Sequence, residues 1–173
     1  MSETVNKYHD LSKDQKLQLI NSSIDIKVNK KSLKTMLVAL GTLHMIVNVA
    51  YVFSFWKVKD FLVKSLITYD IAAVASLVLI AMVYMGIILG IRSQAEHYVF
   101  QKVKLTDFSF RFWCVYFIIH LDIDGKNVYA ETRAFFHTGW KEPSFEDYRE
   151  KTVTIGYNAK TEQVVVIDQQ NTL

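Results

Sequence analysis

Between Thr35 and Trp56 the chain reads TMLVALGTLHMIVNVAYVFSFW, 22 residues without a formal charge. Further on, Ile71 to Ile91 reads IAAVASLVLIAMVYMGIILGI, another 21. At ~1.5 Å of rise per residue, each run makes a helix as long as the ~30 Å hydrocarbon core of a bilayer is thick. A pair of buried core helices is the competing reading. A fold of 173 residues rarely needs two stretches that are apolar all round. The expectation is therefore two transmembrane helices joined as a hairpin. The first run follows 34 mostly polar residues and leads to a second run instead of a cleavage site, so neither reads as a cleaved signal peptide.

Composition agrees with apolar residues being concentrated. Hydrophobic residues are 51% of the chain although 21% are charged. The net charge of +3 is unevenly placed. Residues 1–92 hold 11 Lys/Arg against six Asp/Glu, and residues 93–173 hold nine against 11. The basic excess thus flanks the apolar runs, where lipid headgroups would meet it, and the rest is mildly acidic. A nucleic-acid partner would need a basic face of its own, so none is expected. Cys114 is the single cysteine, which rules out an intrachain disulfide or a cysteine zinc cluster.

Lysine and arginine favour the cytoplasmic side of a membrane. Lys27, Lys30, Lys31 and Lys34 precede the first run, and Arg92, Lys102 and Lys104 follow the second; Lys57, Lys59 and Lys64 lie between them. Both termini are expected to be cytoplasmic in a multi-pass plasma-membrane protein. Trp56 and Tyr69 suit an aromatic belt, and Val58, Phe61, Leu62, Leu66 and Tyr69 share one helical face, as in a segment lying along the interface.

Before the first run, Ser12 and Gln15 make a capping box for a short helix ending near Ser22, with Leu17, Ile20 and Ile24 on one side. Residues Ile24 to Val28 alternate instead. Beyond Arg92 the apolar period becomes two, marking a change to strands. Asp124-Gly125 is a preferred two-residue hairpin turn. A tight turn there pairs Ile123 with Lys126, so that facing positions sum to 249. Leu121, Ile119, Phe117, Val115 and Trp113 then face Val128, Ala130, Thr132, Ala134 and Phe136 on the apolar side. A second hairpin joins Thr152–Tyr157 to Gln163–Asp168, and a further strand lies between His97 and Leu105. Ser144 with Asp147 reads as a helix start. The run from Phe108 to Ile123 would be ~50 Å long as one strand and must bend or break. Its Phe108, Phe110 and Phe112 suit either a bilayer surface, the helix hairpin or a buried strand.

The expected fold is a membrane α-helical hairpin plus a small antiparallel β-rich domain of about five strands, a barrel or a curled sheet. The divisions are a polar N-terminal segment over 1–33, the hairpin over 34–92 and a cytoplasmic β-domain over 93–173. This plan is similar in architecture to several bacterial membrane families, and no motif carries a residue role across.

Two stripes are candidate helix-packing surfaces. In the first run Gly41, His44, Asn48, Tyr51 and Phe55 recur every three or four residues. In the second, Ala72, Ser76, Leu79, Val83, Gly86 and Gly90 do the same and end in a G-x-x-x-G. Small residues allow close helix approach, and polar groups in hydrocarbon face protein or water. The stripes either satisfy each other or dock a partner's helix; His44 and Asn48 also admit a proton- or ion-sensitive site. In the β-domain, Trp140, Phe145 and Tyr148, with Gly139, Pro143 and three acidic neighbours, are a candidate partner surface, or else cap the sheet. His120, Asp122 and Asp124 alternate towards a turn, as metal ligands or as an ordinary solvated tip. Cys114 reads as a small buried hydrophobe.

No phosphate loop, G-x-S-x-G, or His-Glu-x-x-His occurs, so neither catalysis nor a cofactor is expected. The leading expectation is a non-enzymatic accessory or regulatory subunit, with the lipid bilayer and a membrane protein or a second copy as partners. A bacterial toxin-immunity protein is the alternative, and a membrane-tethered enzyme or oligomeric ion pathway the third.

Overall fold

The computed structural model describes residues 7–8, 11–54, 59–123, 125–137 and 143–167, without the side chains of 7, 8, 54 and 59–63. In chain order the elements are β1 (Lys7–Tyr8), α1 (Lys13–Asn21), α2 (Ile24–Ser54), α3 (Lys59–Ser93), β2 (Tyr98–Lys104), β3 (Asp107–Arg111), β4 (Cys114–Ile123), β5 (Lys126–Glu131), β6 (Phe135–Phe136), β7 (Thr152–Asn158) and β8 (Gln163–Ile167). They fall into two compact units: Met1–Val28 with Leu89–Leu173, and Asn29–Ile88. Of the polar N-terminal segment, the described residues up to Val28 belong to the same unit as the strands and 29–33 to the other.

Local signals account for α1. Ser12 Oγ accepts the Gln15 N–H at 3.3 Å, and Gln15 Oε1 accepts the Ser12 N–H at 2.9 Å. The helix stops at Ser22. Its Ile20 is fully buried, Asn21 Oδ1 accepts from Arg92 Nε at 2.7 Å, and Lys16 Nζ donates to the Glu96 carbonyl at 3.0 Å. The next segment differs from its alternating pattern, because Ile24 to Val28 is helix. Burial explains this: Ile24, Asp25 and Ile26 are 4%, 9% and 0% exposed. With no solvated face, nothing imposes a helical period on the sequence.

The strands form two antiparallel sheets, not a closed barrel. One has the order β1-β2-β7-β8; the other has the order β3-β4-β5, with β6 also on β4. One cluster of side chains draws on both: Val115, Phe117, Ile119 and Leu121 of β4 with Val153, Ile155 and Tyr157 of β7 and Val164 and Val166 of β8.

The long apolar run from Phe108 breaks by reversing. Arg111 pairs with Cys114, so Phe112 and Trp113 form a two-residue hairpin loop between β3 and β4. Around the second turn the register is the expected one, from Ile123↔Lys126 to Ile118↔Glu131. Gly125 takes a φ of 78° and donates its N–H to Asp122 Oδ1 at 3.0 Å; Asp124 lies outside the described residues.

Farther along, the expected pairing slips. Thr132 still meets Phe117, donating its N–H to the Phe117 carbonyl at 3.0 Å while its Oγ1 accepts the Phe117 N–H at 3.0 Å. Then Val115 pairs with Phe135 and Cys114 with Phe136, one residue off the predicted Val115–Ala134 and Trp113–Phe136 pairs. Arg133 and Ala134 together face the single Tyr116, which is a bulge. Because side chains alternate, the extra residue puts Phe135 into the core at 0% exposure instead of Phe136. Trp113, freed from the apolar face, is 87% exposed.

β8 is the edge of its sheet, and the start of α2 closes it. Ser23 bridges Ile167. Asp25 Oδ2 accepts the Val166 N–H at 3.3 Å, and its Oδ1 lies 3.5 Å from Arg133 Nη1 in the bulge of the other sheet. One carboxylate thereby clips the edges of both sheets. Asp25 precedes the charge-free run at Thr35 and lies with the sheets. Burial raises its pKa above the ordinary carboxylate value, which Arg133 and the Val166 N–H partly counter. Burial, reinforced by the Asp25 charge, also pushes the Tyr98 hydroxyl up to about 12.

Gly156 in β7 is required by close packing. A Cβ there would meet Phe100 at 2.8 Å and Val165 at 2.9 Å. Gly156→Ala is expected to cost about 1–3 kcal/mol through overpacking, read as a lowered thermal midpoint of the sheet signal in near-UV circular dichroism.

α2 and α3 are long and apolar enough to cross a membrane by length and composition. Only 0% and 6% of their apolar windows are buried. The segment expected to lie separately along an interface is continuous with the second run, since α3 is helical from Lys59. Phe55, Trp56 and Val58 lie outside the described residues.

Candidate functional site

Within Asn29–Ile88, one polar cluster stands in apolar surroundings. α2 presents Gly41, His44, Asn48 and Tyr51 on a half-buried face, the stripe read from their spacing. Asn48 Nδ2 donates to Asp70 Oδ1 of α3 at 3.1 Å and lies 3.1 Å from the His44 carbonyl oxygen. His44 Nε2 is 3.6 Å from the same Asp70 oxygen. Tyr69 stacks on His44 at 5.4 Å and on Tyr51 at 6.5 Å between centroids. A cavity of about 250 Å³ adjoins the cluster, lined by His44, Tyr69, Ser76 and leucine and alanine side chains.

Asp70 falls outside both stripes because it lies one residue before the charge-free run that starts at Ile71. The usable signal was its isolation: it is the sole Asp or Glu between Phe61 and Ala95. Chemically the site pairs an acid with a base and an amide, so each polar group meets another and no charge is left alone in an apolar setting. Tyr69, half-buried, takes part in this stack.

The stripe on α3 borders this cavity with Ala72 and Ser76 and carries the rest of its residues beyond it. Ala72, Ser76, Leu79, Val83, Gly86 and Gly90 are all exposed. A Cβ on Gly86 or Gly90 would meet nothing within 4 Å, and the same holds at Gly41. Ser76 Oγ donates to the carbonyl of Ala72 at 2.8 Å. The polar groups of the two stripes find their hydrogen-bond partners outside each other, Asn48 on Asp70 and Ser76 on its own helix. Asp70 and Gly90 lie about 200° apart around a helix, so the face that gives Asp70 its donors is not the one that carries the two glycines.

The partner surface read around Trp140 needs correction. Trp140, Gly139 and Glu142 lie outside the described residues. Phe145 is 2% exposed and belongs to the core, 4.8 Å from Phe108 and 5.3 Å from Phe117 between ring centroids. Tyr148 packs on that core too, 5.3 Å from Phe135. The cause is backbone pairing: Phe136 N–H donates to Pro143 O, and Phe145 N–H to Phe136 O, both at 2.9 Å. These bonds draw the segment across β6, and after Ser144 it makes turns instead of the expected helix.

At the β4–β5 tip, His120 Nε2 lies 3.2 Å from Asp107 Oδ2. Asp122 serves the turn through Gly125. Cys114 is half-buried at the start of β4. Compared with protein-family models, curated proteins and solved structures, the chain matches none.

Proposed function

We propose that this chain is a non-enzymatic accessory subunit of the plasma membrane, with the apolar lengths of α2 and α3 within 34–92 as a transmembrane hairpin and both termini cytoplasmic. The observation that carries the reading is the uncovered apolar surface of both helices, of whose apolar windows 0% and 6% are buried. The core helices of a water-soluble protein would bury such windows. Lipid satisfies this surface, and the small-residue stripe of α3 offers a second helix close approach. That helix belongs to a membrane-protein partner or a second copy.

The test is purification of the tagged chain from its native membrane in mild detergent, with mass spectrometry of what accompanies it. Gly86→Leu with Gly90→Leu is expected to weaken crosslinked assembly about tenfold, equivalent to ~1.4 kcal/mol of helix–helix contact. Both added side chains enter open space in the single chain, so the thermal midpoint of the sheets should not move. Assembly at the original level would count against the reading.

The acid–base pair beside a cavity favours a second reading, an ion or proton pathway in an oligomer. His44→Gln and Asp70→Asn would then each abolish flux into proteoliposomes. Flux that is absent from the unchanged protein, or untouched in both variants, removes this reading.

A further inference from the structure

Among the described residues of the sheet unit, the two most exposed large apolar side chains sit together at one turn. Phe112 is 103% and Trp113 87% exposed, with Phe110 beside them at 56%. Phe112 and Trp113 occupy the two-residue loop between β3 and β4, and Phe110 lies in β3. Phe112 holds a φ of 56°, in the left-handed region where such hairpin loops normally place Gly, Asn or Asp. A bulky aromatic gains nothing there from the fold, since neither its backbone nor its side chain is favourably placed in water.

We propose that Phe112 and Trp113 enter the interfacial layer of a lipid bilayer, making the β3–β4 tip a second membrane contact. The proposal rests on reading α2 and α3 as membrane spans, because that tether keeps a bilayer within reach of the sheet unit at all times. Its chemistry suits that layer. Indole and phenyl rings concentrate at the level of the headgroups, where the indole N–H stays hydrogen-bonded and the ring leaves water. From Phe108 to Leu121 the sequence holds one charge, Arg111, and no carboxylate. Arg111 is itself neutralised by Glu131 at 2.6 Å and lies over the Tyr116 ring. No charge on the tip opposes entry, and none is left to bring it to an acidic protein surface. Phe108, also a candidate for the bilayer by its place in the sequence, is instead packed on Phe145.

The test uses the full chain reconstituted into phosphatidylcholine–phosphatidylglycerol vesicles, with and without lipids brominated high on the acyl chain. Trp113→Phe is prepared alongside, and the difference between the two emission spectra isolates Trp113 from the other indoles. The expected result is a blue-shifted difference spectrum that loses most of its intensity with brominated lipid and is shielded from acrylamide. A red spectrum quenched by acrylamide and unaffected by bromine would overturn the proposal, placing the tip in water. Shielding from both quenchers would also overturn it, placing the tip against protein. Vesicle flotation of the same samples separates the two levels. A chain that floats and resists alkaline carbonate while Trp113 stays wet refutes only the tip contact. A chain that does not float refutes the membrane spans and the tip contact together.

Discussion

Phe145→Ala is expected to destabilise the sheet unit by about 3–5 kcal/mol, the range for truncating a buried phenylalanine. The ring is 2% exposed and meets Phe108 and Phe117, and Phe117 in turn packs on Phe135. Deleting it leaves a cavity between segments held by β-sheet hydrogen bonds, which limits collapse. The measurement is thermal melting of the full chain in detergent, followed by near-UV circular dichroism. Extraction of the chain with membranes should be unchanged, because the helices do not depend on this ring for their apolar surface. A residue serving only as an outer contact would shift stability by no more than ~0.5 kcal/mol, and a shift that small would return Phe145 to the surface.

Asp25→Ala comes next, at about 3 kcal/mol, the scale for removing one partner of a buried ion pair. The substitution leaves the buried Val166 N–H without its acceptor and Arg133 without its counter-charge. Arg133 Nε is already buried with no hydrogen-bond partner, so the guanidinium has little else to turn to. The pH dependence has a definite sign. Burial raises the folded pKa of Asp25 above its ordinary value of 3.8, so the folded state holds this proton more tightly than the unfolded state. The contribution to stability is therefore complete below pH 3.8 and is lost as pH rises through the folded value. Asp25→Asn keeps an acceptor for Val166 and does not titrate. The stability of the unchanged chain relative to Asp25→Asn should fall as pH rises from 3.8. A difference that grew with pH instead would mean that Arg133 outweighs desolvation.

Much of the chain's local structure could be read directly because the signals are local. Ser12 and Gln15 are three residues apart, and their reciprocal bonds need nothing from elsewhere. Asp124-Gly125 specifies a tight turn, and a tight turn dictates the pairing of the next several residues on each side. The turn at Phe112-Trp113 has no such chemistry. Two aromatics in a hairpin loop look like strand, and the length of the run requires only that it break somewhere. The bulge at Arg133–Ala134 was equally hidden, yet it reassigned the faces of Phe135 and Phe136. Phe145 looked like a surface anchor because its neighbours are Gly, Pro and acids; its burial depends on hydrogen bonds to Phe136, which spacing does not reveal.

The same division holds in the long helices. Their length, their apolar character and the half-buried stripe of His44, Asn48 and Tyr51 follow from composition and a period of 3.6 residues, properties each segment carries alone. Which residue answers that stripe is not such a property. Asp70 lies 22 residues beyond Asn48, and its pairing turns Gly86 and Gly90 outward on the same helix. Likewise Ile24 to Val28 alternate like a strand but are helical, with Ile24, Asp25 and Ile26 buried although they point in different directions around the helix. Short-range hydrogen bonding and hydrophobic period are written into consecutive residues, whereas burial, register slips and ion pairs between distant segments exist only once those segments meet.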